Sequence, residues 1–467
     1  MSSFDVAIIG AGSAGCALAS RLATRTSLRI ALIEAGPDYG PQGSGSWPRD
    51  LLDAHHTPES HDWDFEQSRA RVIGGCSTHN ECALVRPRPG DFDVWGVGGW
   101  RDADVQPLVD QIARAMPTTI PQDNELLPWQ RGFLDAAFEA GFPRRATVDD
   151  APNDGGVGPF IQNIARGERW NAAFAFLDPI RSRITIMAEA LADRLVFERG
   201  RARALIVQGR DGVQEIRAER FVLCSGVYGT PAILLRSGVG TAKDLRKLDI
   251  PVHVDLSGVG ANLHDHPGLA LEYEPTQRLR RSTSDEAKRE RFYQTQIVLR
   301  AAPDLHIIPY QTKGDDGWSF SILVFYLRPR SRGRMRLRSR EAGAAPEIEL
   351  GLLSDSGKHD LRALTDGLRL IHDLTTRAPL AELIASGPRR FRAAARLARY
   401  ARNNVSDYGH SGGTCRLGDV VDETGRVRGM ENVYAADASI MPIIPRANTN
   451  LACSAIGLRV GQLMEGV

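Results

Sequence analysis

One stretch near the start of the chain constrains the fold more than any other. Residues 4–9, FDVAII, are almost continuously apolar, which is typical of a strand buried on both faces of a parallel sheet. Gly10, Gly12 and Gly15 follow in the spacing G-x-G-x-x-G, and the next residues repeat apolar side chains at helical spacing. A second apolar run, RIALIE, ends on Glu34. This succession predicts a strand, a glycine turn, a helix and a second strand that together bind a dinucleotide.

Each residue type in this unit has a physical reason for its position. Gly10 permits the tight turn, Gly12 lets the backbone approach a pyrophosphate, and Gly15 lets the helix pack closely on the strand. The free N–H groups at the helix N-terminus bind phosphate oxygens. Glu34, about 20 residues further on, is placed to accept hydrogen bonds from a ribose. NAD and FAD both use this unit, so it does not distinguish between them.

The composition limits the class of protein. Of 467 residues, 42% are hydrophobic and 25% charged, as in folded globular chains of two or three domains. The 58 basic and 57 acidic residues nearly cancel, so no overall field attracts nucleic acid or an anionic membrane. No apolar run approaches the roughly 20 residues of a membrane span. The chain start shows no targeting pattern, and the six cysteines include no C-x-x-C pair. We therefore expect a cytoplasmic protein with buried free thiols.

A second group of candidate site residues lies near the C-terminus. His410 precedes a Gly-Gly-Thr triplet, and the apolar stretch ENVYAAD ends on Asp437. Asn448 and Thr449 then stand where a closing helix begins, which offers an N-cap and exposed N–H groups. Nicotinamide enzymes seldom need such a second half-site. A longer cofactor that spans the fold does need one.

These motifs, taken in order, resemble those of the glucose–methanol–choline (GMC) flavoprotein oxidoreductases over nearly the whole chain. The stretches that carry the resemblance are IIGAGSAG…LIEAG, RVIGGCSTHN, CSGVYGTPAILLRSGVG, GVGANLHDHP and GHSGGTCRLG…ADASIMP…ANTN. Within the family the motifs are most similar to those of choline oxidases and of aryl and furfuryl alcohol oxidases. The order of the set makes the resemblance far more specific than any one motif.

The resemblance implies an α/β fold in which a Rossmann-like FAD-binding domain is interleaved with an α+β substrate-binding domain. The FAD-binding domain is expected over 1–102, 183–266 and 405–467, and the substrate-binding domain over 103–182 and 267–404. The cofactor contacts that the resemblance implies are Gly10, Gly12, Ser13, Ala14, Gly15, Glu34, Ala35, Val72, Gly74, Gly75, Ser77, His79, Asn80, Glu81, Ala192, Asp437, Ala438, Asn448 and Thr449.

The resemblance also implies the chemistry, which is oxidation of an alcohol by hydride transfer to flavin N5. By position, His410 matches the family's active-site histidine and Asn448 matches its partner. An imidazole titrates near neutrality, so His410 can accept the hydroxyl proton as hydride leaves the carbinol carbon. Asn448 can hydrogen-bond the same oxygen without competing for the proton. The alternative is a structural histidine that satisfies a loop backbone.

His79 has several interpretations. Together with Cys76 and Cys82 it forms a triplet at three-residue spacing that resembles a metal site, and it could also be a packed histidine. The similarity to choline oxidases implies instead a covalent bond to the flavin 8α-methyl group, and we predict no metal site. Asn80 would fix the local turn, while Glu81 departs from the pattern, which has a small hydroxyl residue there. A carboxylate would disfavour an anionic reduced flavin, bind a cationic substrate group or turn outward to solvent.

The substrate and the electron acceptor are less constrained. The ammonium-binding glutamate of choline oxidases should fall near FYQTQIV, where this chain has Gln294 and Gln296, so we expect a neutral, polyol or aryl primary alcohol. Trp63 is expected to form one wall of the substrate pocket. The electron acceptor is O2, as in an oxidase, or another acceptor. Tyr408 stands where oxidases have a small residue, which points to the alternative of a dehydrogenase that passes electrons to a quinone, redox peptide or protein. A hydroxynitrile-lyase activity is the alternative on the same fold. A homodimer is one expected assembly.

Overall fold

The computed structural model describes residues 3–150, 153, 155–287, 295–388 and 394–465. Its strands, in chain order, are β1 (Phe4–Ile9), β2 (Ile30–Ile33), β3 (Gly156–Pro159), β4 (Ile164–Ala165), β5 (Glu168–Arg169), β6 (Thr185–Met187), β7 (Leu191–Glu198), β8 (Arg201–Gly209), β9 (Gly212–Leu223), β10 (Val239–Gly240), β11 (Val254–Asp255), β12 (Pro267–Pro275), β13 (Ile297–Ala301), β14 (Leu305–Gly314), β15 (Gly317–Tyr326), β16 (Arg334–Arg336), β17 (Glu347–Glu349), β18 (Ile384–Ser386), β19 (Ser406–Asp407) and β20 (Val433–Ala435).

The α-helices of the described residues fall between these strands. They are α1 (Ser13–Arg25), α2 (Arg49–Leu52), α3 (Asp102–Ala115), α4 (Pro128–Glu139), α5 (Gly226–Arg236), α6 (Ala242–Lys247), α7 (Gln277–Ala287), α8 (His359–Thr375), α9 (Ala378–Ala381), α10 (Ala394–Asn404) and α11 (Thr449–Met464). None of the helices in this part of the chain combines the length and the apolarity that crossing a bilayer requires.

The first large sheet contains the N-terminal strand that the apolar run predicts. Its order is β6-β2-β1-β9-β8-β7, with β20 beside the end of β9. Strands β6, β2, β1, β9 and β20 run parallel, and β8 and β7 continue the sheet as an antiparallel meander. Val6 to Ile9 are fully buried, so neither side of the strand faces solvent, which explains why this strand is apolar at successive positions.

The second large sheet is antiparallel, with the order β18-β12-β15-β14-β13-β3 and β19 paired to β12. Successive side chains of a strand point to opposite faces. Ile297 and Leu299 pack in the same core cluster as residues of α4 and α8, whereas Val298, between them, packs in a different cluster with Phe325 and Tyr408. The face that carries Val298 and Phe325 is therefore turned towards the candidate site.

Two elements lie close to the expected domain boundaries. Helix α3, which begins at the predicted boundary, packs on α11 and contributes Val105 and Val109 to the core around the parallel sheet. Strand β19, within the last segment expected for the FAD-binding domain, pairs with β12 of the antiparallel sheet. The domain boundaries stay a prediction. All six cysteines are free, and four are buried, but Cys76 is exposed and Cys453 is partly exposed.

Candidate active site

A long cleft runs along the carboxyl ends of the parallel strands. It has about 1360 Å³ of empty space, its open mouth included. The predicted cofactor contacts that line it are Gly10, Gly12, Ser13, Ala14, Glu34, Ala35, Gly75, Ala192, Asp437, Ala438 and Thr449. The predicted contacts that are not among its lining residues are Gly15, Val72, Gly74, Ser77, His79, Asn80, Glu81 and Asn448.

The glycine turn is as tight as its spacing predicts. Gly10 has φ +106°, in the region that side chains disfavour, and a Cβ there would lie 2.7 Å from the Cys224 carbonyl carbon. A Cβ on Gly15 would lie 3.1 Å from the Gly10 carbonyl carbon, so only glycine lets α1 start here. A Cβ on Gly75 would lie 2.7 Å from the Gly12 Cα. The two glycine loops therefore approach each other along one wall of the cleft.

Two helix N-termini open into the cleft without a side-chain cap. Gly12 precedes α1 and Asn448 precedes α11, and neither makes a capping hydrogen bond through its side chain. The cap that we expected from Asn448 is thus absent. Ser13 Oγ donates to Asn450 Oδ1 at 2.8 Å, which holds the two termini together. Uncapped N–H groups at such termini bind anions.

Two buried carboxylates, Glu34 and Asp437, line the cleft. Glu34 accepts hydrogen bonds from the backbone N–H groups of Ala11 and Gly36, both at 2.8 Å. Asp437 accepts from the backbone N–H of Gly226 at 2.9 Å and from the Thr230 hydroxyl at 2.5 Å. Burial raises the pKa of both carboxyl groups, against these hydrogen bonds. Each carboxylate can still accept hydrogen bonds from a hydroxyl-rich ligand.

The cleft therefore fits FAD. Glu34 would hold the adenosine ribose, the open N-terminus of α1 would hold the pyrophosphate, and Asp437 would hold the ribityl chain. The sequence did not indicate several residues that line the cleft, namely Phe65, Arg69, Tyr228 and Ser411. Two of them, Tyr228 and Ser411, lie inside motifs already singled out, but nothing in the spacing indicates that their hydroxyls hydrogen-bond each other at 2.8 Å.

The side chains of Cys76, His79 and Cys82 do not face a common point. Cys76 faces the cleft, whereas Cys82 is buried and its Sγ accepts from Arg169 Nη1 at 3.1 Å. His79 is buried and its Nε2 lies 3.0 Å from the Ser60 carbonyl oxygen. Burial lowers the pKa of His79. Among the residues that the structure describes, no group of three or more His, Cys, Asp or Glu side chains could hold a metal ion.

His410 is buried at the start of the Gly-rich loop. Its Nδ1 lies 3.0 Å from Nδ1 of His266, and its backbone N–H donates to Asp265 Oδ1 at 3.0 Å. Asp265 also accepts from Ser411 Oγ at 2.6 Å, so one carboxylate fixes the loop on both sides of the histidine. Burial, with the nearby His266 and Arg69, holds the pKa of His410 well below its usual range. His410 is therefore a neutral imidazole at neutral pH.

Tyr408 connects the two predicted catalytic residues. Its ring stacks on Phe325 with centroids 3.6 Å apart and lies 4.1 Å from the His410 ring. Its hydroxyl is hydrogen-bonded to the Asn448 side chain, while Oδ1 of Asn448 has no partner in the structure. The structure thus brings His410, Tyr408 and Asn448 together although they come from a strand end and a helix start. Trp63 also lines the cleft, and the Arg71 guanidinium carbon lies over its ring, 5.0 Å from the ring centroid.

Glu81 turns inward, not outward to solvent. It is partly buried, and its carboxylate accepts a hydrogen bond from the Tyr310 hydroxyl. Burial raises the pKa of Glu81 to about 7, against the charge of Arg169. Gln296 is fully buried elsewhere, where it accepts from the Leu127 N–H at 2.9 Å. Gln294 lies outside the described residues.

Two models of one protein family match the chain. Both are described as GMC oxidoreductase; one matches residues 4–268 and the other matches 329–457. A 5-(hydroxymethyl)furfural oxidase of Methylovorus sp. strain MP688 is 31% identical over 521 residues, 96% of this chain and 96% of its own length. An oxygen-dependent choline dehydrogenase of Pseudomonas syringae pv. tomato is 30% identical over 544 residues, 100% of this chain and 94% of its own length.

Solved structures agree in fold. Pyridoxine 4-oxidase from Mesorbium loti has a TM-score of 0.86 at 26% identity, over 98% of both chains. A formate oxidase of Aspergillus oryzae, studied for its FAD modification, has a TM-score of 0.87 at 21% identity, over 100% of this chain and 98% of its own, which shows the fold alone. The expected fold class is confirmed. With both halves matched and the cleft suited to FAD, the chain belongs to the GMC oxidoreductase family.

Proposed function

We propose that this protein oxidises a primary alcohol to an aldehyde, with His410 as the base. The observation that carries the proposal is a buried, neutral imidazole packed on the Tyr408 ring, whose hydroxyl is bonded to Asn448. The residues on either side of it, Gly409 and Ser411, line the cleft. FAD, when bound, supplies the hydride acceptor through its N5 atom. The relatives named above act, by their names, on hydroxymethyl compounds and choline, which supports an alcohol as substrate.

The hydrogen bond between His410 and His266 limits the tautomers of the two rings. The Nδ1 atoms face each other at 3.0 Å, so one of them must donate. We assign that hydrogen to His410, as a base with its lone pair on Nε2 requires, and His266, whose Nε2 has no hydrogen-bond partner in the structure, then accepts at Nδ1. His410 then donates from Nδ1 and keeps its lone pair on Nε2. That lone pair takes the hydroxyl proton of the substrate as hydride leaves the carbinol carbon.

Asn448 would orient the substrate oxygen. One end of its amide is bound to Tyr408 and the other end has no partner. The two ends of an amide have the same shape, so the free end can present an N–H to the carbinol oxygen. Such a donor stabilises the charge that develops on the oxygen as its proton leaves. Because His410 and Phe325 are buried, bulk water does not compete with the substrate for these hydrogen bonds.

The test is anaerobic bleaching of the oxidised flavin by a panel of primary alcohols. We expect the wild type to bleach and His410→Gln to bleach far more slowly, with both proteins retaining FAD. His253→Gln is the matched control, because His253 packs on Phe197 away from the cleft. Bleaching that is equal in the two histidine variants would refute His410 as the base. Turnover of a cyanohydrin without bleaching would indicate the lyase activity instead.

We also propose a covalent bond between His79 and FAD. A buried imidazole with a lowered pKa offers a neutral nitrogen, and its neighbours Gly75 and Cys76 line the cleft. His79 itself faces Ser60, so the bond requires the ring to turn from that carbonyl to the flavin. Yellow colour that stays with acid-precipitated protein would support the bond, and colour in the supernatant would exclude it. Cytoplasmic location and a homodimeric assembly stay predictions.

The bulk beside His410 bears on the electron acceptor. The Tyr408 ring is clamped between Phe325 and His410, where a small side chain would leave room for O2. We propose a quinone, redox peptide or protein as the acceptor. Hydrogen peroxide that forms in step with alcohol oxidation in air would contradict this proposal and establish an oxidase.

A further inference from the structure

Arg69 is a cation that lines the cleft without a carboxylate partner. Its guanidinium donates from Nη1 to the Ser68 carbonyl oxygen at 2.6 Å. Within the part of the chain that the structure describes, no carboxylate oxygen lies within ion-pair distance of it. Its Nε and Nη2 atoms make no hydrogen bond and are accessible. Arg69 therefore keeps the planar pair of N–H donors with which a guanidinium binds a carboxylate at two points.

The local backbone places Arg69 opposite Trp63, the wall that we expected for the substrate pocket. Asp62 and Ala70 are antiparallel bridge partners, and the Trp63 N–H donates to the Arg69 carbonyl oxygen at 2.9 Å. Trp63 and Arg69 are thus cross-strand partners, which share a face. Asp62 belongs to the other face, and its carboxylate accepts from the Arg69 backbone N–H at 3.1 Å. The acidic neighbour is therefore bound to the backbone and leaves the guanidinium unpaired.

Aromatic rings lie around the guanidinium. Its central carbon is 5.0 Å from the centroid of the Tyr228 ring. Phe65 makes an edge contact with Tyr228, with 6.3 Å between the centroids, and is stacked on Trp63 at 5.8 Å. All four residues line the cleft. A group of rings with one unpaired cation is complementary to an aromatic ligand that carries an anionic group.

Tyr228 connects this group of rings with the proposed base. Its hydroxyl is hydrogen-bonded to Ser411 Oγ at 2.8 Å, and Ser411 follows His410 directly in the sequence. Ser411 donates its hydroxyl hydrogen to Asp265 at 2.6 Å, so the Tyr228 hydroxyl must donate to Ser411. Tyr228 has no second hydrogen to offer an anion. The guanidinium of Arg69 is therefore the donor that an anionic group would find beside this ring.

We propose that Arg69 binds the carboxylate of an aryl alcohol substrate, whose ring packs among Trp63, Phe65 and Tyr228. The inference rests on the proposed function, because it assigns the far end of the molecule whose hydroxyl His410 deprotonates. It keeps the aryl primary alcohol expected from the sequence and replaces the neutral molecule by an anionic one. A benzoate that carries a hydroxymethyl group is the simplest compound of this class.

A binding measurement tests the inference without turnover. Benzoate and benzamide have nearly the same shape, differ in charge and carry no alcohol group. We would titrate the oxidised holoenzyme with each near neutral pH and follow the flavin absorbance and the heat of binding. The wild type should bind benzoate roughly tenfold more tightly than benzamide, and Arg69→Gln should lose that preference. Arg25→Gln, the same change at the exposed C-terminal end of α1, is the matched control and should keep the preference.

A kinetic measurement then assigns the anion to the substrate. The rate of anaerobic flavin bleaching is compared for meta- and para-(hydroxymethyl)benzoate and for the corresponding amides. The wild type should bleach faster with at least one benzoate than with its amide, and Arg69→Gln should not.

Two results would overturn the inference. One is equal affinity of the wild type for benzoate and benzamide, a comparison that needs no variant and holds even if Arg69→Gln fails to fold. The other is an unchanged benzoate affinity in an Arg69→Gln protein that retains FAD. If no alcohol bleaches the flavin, the proposed function fails, and the titration still decides whether Arg69 binds a carboxylate.

Discussion

Gly457 is the position where one methyl group should disturb both the stability and the cofactor site. It lies in α11 at the contact with α1, where a Cβ would overlap the Ala14 carbonyl oxygen and lie 2.9 Å from its carbon. Both groups are backbone, so neither can rotate away. Ala14 lines the cleft at the N-terminus of α1, next to the glycine turn. Gly457→Ala must therefore push apart the two helices whose N-termini face the cofactor.

The size of the effect follows from two opposing contributions. Carbon atoms in good contact are about 3.5 to 4.0 Å apart, so the helices must separate by roughly 1 Å. Overpacking by a methyl group costs about 1 to 3 kcal/mol, and a backbone contact belongs at the upper end. Alanine in a helix gains about 1 kcal/mol over glycine. We expect a net loss of about 2 kcal/mol in the free energy of unfolding.

Thermal unfolding followed by flavin fluorescence is the assay. For a chain of this length the unfolding entropy is about 1 kcal/mol per kelvin, so Tm should fall by about 2 °C. Gly461→Ala, one helical turn on, is the control. Its Cβ would meet the Arg21 Cγ at 3.0 Å, which can rotate, and the Arg21 Cβ at 3.2 Å, which needs to shift by only a few tenths of an ångström. That variant should melt at or above the wild-type Tm. Gly457→Ala should also release FAD more readily in gel filtration. Equal Tm values and equal FAD retention in the two variants would refute the reasoning.

Three further predictions concern the site. Asp437→Ala removes the acceptor for the Gly226 N–H and the Thr230 hydroxyl, so FAD should bind roughly tenfold more weakly or worse, measured by equilibrium dialysis. The lowered pKa of His410 keeps its imidazole neutral, so kcat/KM for benzyl alcohol should stay level as pH falls from 8 to about 6.5. A decline of kcat/KM that fits a base with the ordinary histidine pKa of about 6.5 would contradict this prediction. Tyr408→Val opens the space beside His410 and should increase peroxide formation in air relative to the wild type; an unchanged rate would show that Tyr408 does not hinder O2.

The parts of the site that the sequence predicts are those built from local geometry. The glycine turn, α1 and Glu34 form one continuous unit, and each distance within it is determined by a few residues of chain. The N-terminus of α11 was predictable for the same reason, because Asn448 and Thr449 follow an extended stretch directly. The expected cap failed because Asn448 is hydrogen-bonded to Tyr408, which stands 40 residues earlier on the antiparallel sheet side.

The orientation of Glu81 could not be deduced for a related reason. A carboxylate next to a loop has a solvent-facing alternative, and solvation makes that the ordinary outcome. What turns it inward is a donor, the hydroxyl of Tyr310, from a strand more than 200 residues away in the sequence. Arg169 likewise has no motif around it, yet it joins the Cys82 loop to the 53–56 loop. No local pattern contains either contact.

The stretch NLHDHP shows how far spacing alone can mislead. His264, Asp265 and His266 resemble a metal-binding triplet, but the structure gives each a separate partner. His264 Nε2 accepts from the Ile444 N–H at 3.0 Å, Asp265 accepts from the His410 N–H at 3.0 Å, and His266 faces His410 Nδ1 at 3.0 Å. All three pairings join this turn to the C-terminal segment. The triplet therefore positions the proposed base and the chain after it: His264 and Asp265 bind backbone N–H groups, and His266 binds the His410 ring.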